Sequence, residues 1–231
     1  MRNARLSTAD LINKFRDLLM SGQIVRGERL PSERDLAQQF GTSRSSLRHA
    51  LKVLESVGVI SQRVGDGSYL SADASQILKV PLSFMILLDG VSLLELFDVR
   101  LMIEPELAAK AAERASSEDL DAIRSTFPAM LNNTPRADAA FHEAVCKATG
   151  NRVCQRMFEA IQDAFRHGMQ VTSQLAPPER ALEFHKQVYS AIHLRQPEQA
   201  RRKMMEHLSD AQAILLTACL DGKLPMNTKN I

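Results

Sequence analysis

Tryptophan is absent from the chain and tyrosine occurs only twice, beside nine phenylalanines. The aromatics that favour strands are scarce, while Ala, Leu, Met, Glu, Gln and Arg are abundant, so helices are expected to outweigh sheets. No apolar run approaches the roughly 20 residues a membrane span needs. The opening residues MRNARLSTADLINKF contain no signal-peptide core. No membrane partner is therefore expected. Cysteine is also rare. Cys146, Cys154 and Cys219 are odd in number and lack the spacing of a metal finger, so they are expected as free, buried, reduced thiols of a cytoplasmic protein. What remains is an ordinary globular composition, 45% hydrophobic and 24% charged. A length of 231 residues suits two modest domains with buried cores.

The small net charge of +2 is unevenly placed. Residues 1–75 carry 11 Lys/Arg against 8 Asp/Glu, and the rest carry 18 against 19. That bias alone fits a solvated face as well as a nucleic-acid surface, so motifs must decide. STADLINKFRDLLMSG opens on Ser/Thr caps, places Leu11, Phe15, Leu18 and Leu19 at helical spacing, and stops at Gly22. Pro31 and Ser32 then start a short helix carrying Leu36, Ala37 and Phe40. After the tight turn GTS, Ser43 can cap a second helix whose apolar face is Leu47, Ala50, Leu51 and Leu54. Two short helices joined through a Gly-containing turn make a helix-turn-helix. VISQRVGDGSYL adds two β-prone runs around GDG, a hairpin signal, and completes a winged module. The exposed face of the second helix carries Arg44, Ser45, Ser46, Arg48 and His49 at its N-terminal end. In such motifs that end enters the major groove, where arginine reaches guanine O6/N7 or phosphate.

Residues 6–72, in particular RGERLPSERDLAQQFGTSRSSLRHALKVLESVGVISQRVGDGSYL, resemble the DNA-binding domain of GntR-family bacterial transcription regulators. The resemblance implies that Arg34, Arg44 and Arg48 contact DNA, that Ser43, Ser45 and Ser46 meet phosphates or base edges, and that Gly65 sits at the wing tip. Val64 stands where some members carry a basic or imidazole residue.

A linker with a first connecting helix is expected over 73–90, and an all-helical domain over 91–221. Helices are predicted at 91–115, from Ser116 (with Asp119 as a capping box), and at 136–149, 151–171, 178–194 and 197–221, broken by TGN, APPE and RQPE. The fold class is thus mainly α: a winged helix-turn-helix, then an all-α bundle of about six or seven helices. Asp138 and His142 are four residues apart and share a helix face, which Val145 and Thr149 continue inward. His185 lies between Ala181 and Val188, and His207 between Met204 and Ala211. Each alone reads more readily as a hydrogen-bonded core group than as a ligand. Together they are polar groups on three apolar stripes that must find partners, and one divalent metal satisfies all four. Zinc comes first by ligand type, with nickel, manganese and iron as alternatives. Arg100 interrupts the stripe Leu93, Leu96, Ile103, Leu107. It either holds a carboxylate ligand bidentately or snorkels and pairs with a neighbour such as Glu104. His193 and His167 read as surface or supporting residues.

FDVRLMIEPELAAKAAERASSEDL, DAAFHEAVCKATGN, EFHKQVYSAI and ARRKMMEHL are similar to the C-terminal FCD-type ligand domain of the FadR subgroup of the same family. In its metal-binding branch, the resemblance assigns Asp138, His142, His185 and His207 as ligands. One departure is the short stretch from Leu120 to Asp138, which includes Pro128 and Pro135. The second helix is expected to be truncated.

The resemblance implies a homodimer on a palindromic double-stranded operator, commonly a repressor of a catabolic operon, that responds to a small organic acid held at the metal and by Arg100. A regulator for which the ion itself is the signal is an alternative. A metal-dependent hydrolase, with Glu143 or Glu183 as base, is a second one. Both glutamates adjoin ligands in sequence and so should point away from the metal, and the chain is read as a non-enzyme.

Overall fold

The computed structural model describes residues 6–72, 76–131 and 135–223, with the side chains of 76, 78–80, 83, 87, 135 and 162–173 outside that description. His167 and the linker positions 73–75 accordingly lie outside the described residues. The chain divides into two compact units, Met1–Val80 and Pro81–Ile231.

The first unit contains α1 (Thr8–Met20), α2 (Glu33–Phe40), α3 (Arg44–Ser56), β1 (Ile60–Arg63) and β2 (Gly67–Leu70). Each helix starts where a side chain satisfies its orphan N–H groups. The Ser7 hydroxyl accepts from the Asp10 amide while the Asp10 carboxylate accepts from the Ser7 amide, a reciprocal box. Ser32 and Ser43 cap α2 and α3 more simply, each hydroxyl accepting from the amide three residues on, that of Asp35 or Ser46. Gly41, at φ 67°, ends α2 in the left-handed region and turns the chain into α3. Leu11, Phe15 and Leu18 are buried as the spacing predicts, but Leu19 is 41% exposed, because two adjacent helical residues lie about 100° apart and only one can face the core. Leu36, Phe40, Leu47, Leu51, Leu54, Ile60 and Leu70 complete this core. The hairpin is antiparallel, Ile60 opposite Leu70 and Arg63 opposite Gly67, with Val64, Gly65 and Asp66 at the tip. Tyr69 pins that tip by donating to the Asp66 carboxylate at 2.6 Å and lying under Arg63. Leu51→Ala, at a side chain 1% exposed, is expected to cost about 2–5 kcal/mol, read as a lowered urea midpoint for the first unit.

α4 (Gln76–Asp89) runs across the boundary between the units, and the second unit continues with α5 (Leu93–Arg114), α6 (Ser117–Arg124), α7 (Phe127–Met130), α8 (Pro135–Lys147), α9 (Arg152–Leu175), α10 (Pro178–His193) and α11 (Pro197–Leu220). The predicted breaks hold, and the capping box at Ser116 and Asp119 is present. The short stretch after Leu120 resolves into two helices of 8 and 4 residues, α6 and α7, where a longer one would otherwise run. Pro128 and Pro135 fall in first turns, where a missing N–H costs nothing, so they start helices rather than break them. α5 packs lengthwise on α11, and α10 and α8 close against the pair. Phe141, Val145, Val188, Ile192, Met204 and Leu208 fill the space between them.

Candidate metal centre and nucleic-acid interface

α8, α10 and α11 each turn an imidazole into that apolar interior. His142, His185 and His207 are 2%, 0% and 5% exposed. Packing fixes their rings: His185 stacks on Phe141 with centroids 3.8 Å apart, and Phe184 lies against His207 at 5.6 Å. Their Nε2 atoms converge. His185 Nε2 lies 3.0 Å from His207 Nε2, which lies 3.3 Å from His142 Nε2. Asp138, one helical turn before His142, brings Oδ1 to 3.4 Å from His185 Nε2 and Oδ2 to 4.0 Å from His142 Nε2. All four donor atoms lie within 4.8 Å of one another.

Two facing lone pairs at 3 Å repel unless a proton or a cation lies between them. Ligands about 2.0–2.2 Å from one tetrahedral ion stand roughly 3.3–3.6 Å apart, near the 3.3 Å between the His207 and His142 Nε2 atoms and the 3.4 Å from Asp138 to His185. Burial pushes the His185 and His207 imidazoles well below the usual histidine range, and the neighbouring imidazole charges and the Arg100 guanidinium lower them further; for His207 the Glu104 carboxylate opposes this. Neutral imidazole is the form that ligates metal. A nitrogen-and-oxygen set of this kind fits a divalent transition ion.

A support lies behind the ligands. Arg100 and Glu104 of α5 are each 2% exposed. Arg100 Nε donates to Glu104 Oε1 at 2.6 Å, and its Nη2 lies 3.1 Å from His142 Nε2. Glu104 Oε2 approaches His142 Nδ1 at 2.5 Å, and neither atom has another hydrogen-bond partner. Burial raises the Glu104 carboxyl, but the Arg100 guanidinium and the hydrogen bonds from Arg100 and His142 outweigh it and hold the group at about 2. Of the two sequence readings of Arg100, the pairing with Glu104 is present, although the side chain is buried rather than snorkelling. Ile103 is 37% exposed and does not belong to the inward stripe. Glu104 takes that place. His193 is exposed and stacks on Tyr189, and Glu183 is exposed and accepts from Gln187. Cys146 is buried, which pushes its thiol up to about 12, and Cys154 and Cys219 are half-buried free thiols.

In the first unit, α3 presents Arg44, Ser45, Arg48 and His49 to solvent. Ser43 Oγ caps α3 and sits 2.9 Å from the hydroxyls of both Ser45 and Ser46. Arg48 is held by Glu33 of α2: its Nη2 donates at 2.7 Å and its Nε at 3.1 Å. Arg34 is exposed, with Nε 3.5 Å from Asp35. Gly65, at φ +78°, has no heavy atom within 4 Å of where a Cβ would lie, and Val64 beside it is fully exposed.

Fold and site together define a class: a winged helix-turn-helix carrying an all-helical sensory unit. The comparisons with known proteins agree. Residues 8–70 match the bacterial regulatory proteins of the gntR family, and residues 95–210 match the FCD domain. A protein of Escherichia coli (strain K12) named as regulating the L-lactate dehydrogenase operon is 33% identical over 87% of this chain and 83% of its own. The galactonate operon transcriptional repressor of the same organism is 31% identical over 75% of this chain and 81% of its own. In fold the chain is similar to Streptococcus agalactiae GntR, with a TM-score of 0.74, 22% identity, and coverage of 89% of this chain and 99% of that one. This chain belongs to the GntR family of bacterial transcription regulators, with an FCD domain as its ligand-responsive part. The matched families and relatives are regulators of transcription, not enzymes. Among the described residues, no helix is long and apolar enough to cross a membrane.

Proposed function

We propose that this regulator binds a palindromic operator as a homodimer, holds one divalent ion at Asp138, His142, His185 and His207, and responds to a small carboxylate seated beside that ion. The observation that carries the reading is the convergence of four donor atoms from three helices next to a buried guanidinium. When bound, the ion supplies a Lewis-acid position for a carboxylate oxygen. Arg100 supplies the orienting contact. Its Nη2 faces His142 Nε2, and a carboxylate takes over as acceptor once that lone pair is engaged by the ion. Lactate and galactonate, the acids in the names of two relatives, are both hydroxy acids and form the first test panel. On the DNA side, Arg34, Arg44 and Arg48, the Ser43–Ser46 turn and the Gly65 tip form the contact surface. The protein acts as a repressor, and binding of the acid lowers its operator affinity.

Native mass spectrometry on protein purified without chelator tests the core of this. A dimer with one ion per protomer is expected, and an ion-free dimer would overturn the metal reading while leaving the DNA reading intact. Titration calorimetry tests the effector. An acid of the panel should bind the zinc-loaded protein, and Arg100→Met should weaken it about 10–100-fold, the worth of one charge-assisted hydrogen bond pair. Equal binding after chelation would remove the ion from effector recognition.

A further inference from the structure

The structure assigns Glu104 as the positioning residue that sets the tautomer of His142, and with it the ability of Nε2 to ligate; this rests on the metal-site reading above. Nitrogen and oxygen 2.5 Å apart are tolerable only with a proton between them, and this pair, His142 Nδ1 and Glu104 Oε2, is otherwise unpartnered. The carboxylate is an acceptor, as its other oxygen shows by taking the Arg100 Nε–H at 2.6 Å. The ring proton therefore sits on Nδ1. An independent contact agrees: Arg100 Nη2, which can only donate, faces His142 Nε2 at 3.1 Å, so Nε2 carries the lone pair. One carboxylate thus fixes the ring from behind and holds the arginine at the same time.

The consequence is specific to this arrangement. In Glu104→Gln, shape is conserved but the two ends of the side chain are no longer equivalent. Arg100 Nε–H forces the amide oxygen to face it, which turns the amide NH2 toward His142 Nδ1. That donor opposes a proton on Nδ1 while Arg100 Nη2 still opposes one on Nε2, so the tautomer is no longer fixed and a share of the rings carries its proton on Nε2, the ligand position. Carboxylates behind metal-binding histidines are worth about 10–100-fold in affinity, and the loss in this variant should fall in that range. Removing the arginine lifts the constraint. In Arg100→Met with Glu104→Gln, the amide can rotate, accept from Nδ1–H with its oxygen, and return Nε2 to the lone-pair state.

The experiment has two readouts on the full-length protein. Nitrogen-15 NMR of chelator-stripped samples reports the His142 tautomer without any metal. Zinc affinity is measured by competition with a chromophoric chelator. Expected are Nδ1–H in the wild type, a clearly populated Nε2–H form in Glu104→Gln with zinc affinity lower by about 10–100-fold, and Nδ1–H with affinity back toward the wild type in the double variant. An Nε2–H tautomer in the metal-free wild type overturns the proposal even if Glu104→Gln does not fold. So does an unchanged tautomer in Glu104→Gln, or an affinity loss that the double variant fails to restore, because charge alone would then account for the effect. A wild type that binds no zinc sinks the metal-site reading, while its tautomer still decides this one.

Discussion

His142→Ala should strip the ion from the protein and lower the melting temperature of the second unit by about 8–16 °C in zinc-replete buffer. The figure follows from two magnitudes: an ion at a thousand times its Kd stabilises by about 4 kcal/mol, and in a domain of this size each kcal/mol moves the midpoint by about 2–4 °C. His142 is the ligand for which the loss should be greatest, since its ring touches Arg100, Glu104 and the other two imidazoles. Truncation itself opens a cavity, so a lowered midpoint alone proves little. The informative comparison is with chelator. Chelation should lower the wild-type midpoint toward that of the variant and leave the variant where it is. Equal shifts in both would mean that the four residues form a polar core and hold no ion. Asp138→Asn gives a gentler companion, because that side chain is 17% exposed and the change conserves volume. Its chelated midpoint should match the chelated wild type, with only the metal-dependent part reduced.

Much of this site could be read from the sequence, because its ligands obey a simple geometry. Asp138 and His142 are one turn apart, and His185 and His207 interrupt apolar stripes, so each announces the face it occupies. Glu104 was harder to see. A carboxylate four residues after an arginine reads as a surface ion pair, and by hydrophobicity the stripe runs through Ile103. Counted at about 100° per residue from Leu93, however, Ile103 falls about 80° to one side of the face centre and Glu104 only about 20°. Phe97, Arg100, Leu107 and Ala111 cluster around that same centre, and all are buried. The signal was therefore present, but it competed with the greater hydrophobicity of isoleucine. In the first unit, caps and glycine turns placed every element, since those depend on one or two local residues. The split of the shortened segment into α6 and α7 depends on how Phe127 and Met130 pack against α8 and α10, which no local pattern records. The Glu33–Arg48 pair escaped for a similar reason: its partners are 15 residues apart on different helices.

That pair bears on the second large effect. Arg48→Ala is expected to lower specific operator affinity by about 30-fold to 20,000-fold, because a bidentate arginine–guanine contact is worth about 1–3 kcal/mol and a dimer loses two. Non-specific binding should fall far less. Arg48 is more than half exposed and its partner Glu33 about a quarter, so the substitution leaves no deeply buried charge and the fold should survive, as an unchanged urea midpoint would show. Salt dependence separates the two ways Arg48 can act. A phosphate contact contributes about 0.9 to the slope of log affinity against log salt, so its loss from both protomers would flatten the curve by nearly 2. A base contact would leave the slope almost unchanged and relax sequence preference at one position of each half-site. The second pattern is expected for Arg48, because Glu33 already holds its guanidinium through Nε and Nη2 and so restricts the fork before DNA arrives. Arg44, the exposed first residue of α3, is the natural contrast: Arg44→Ala should flatten the salt slope with little change in specificity. If Arg48→Ala instead leaves specific affinity intact, α3 is not the reading helix and the assignment of the whole interface fails.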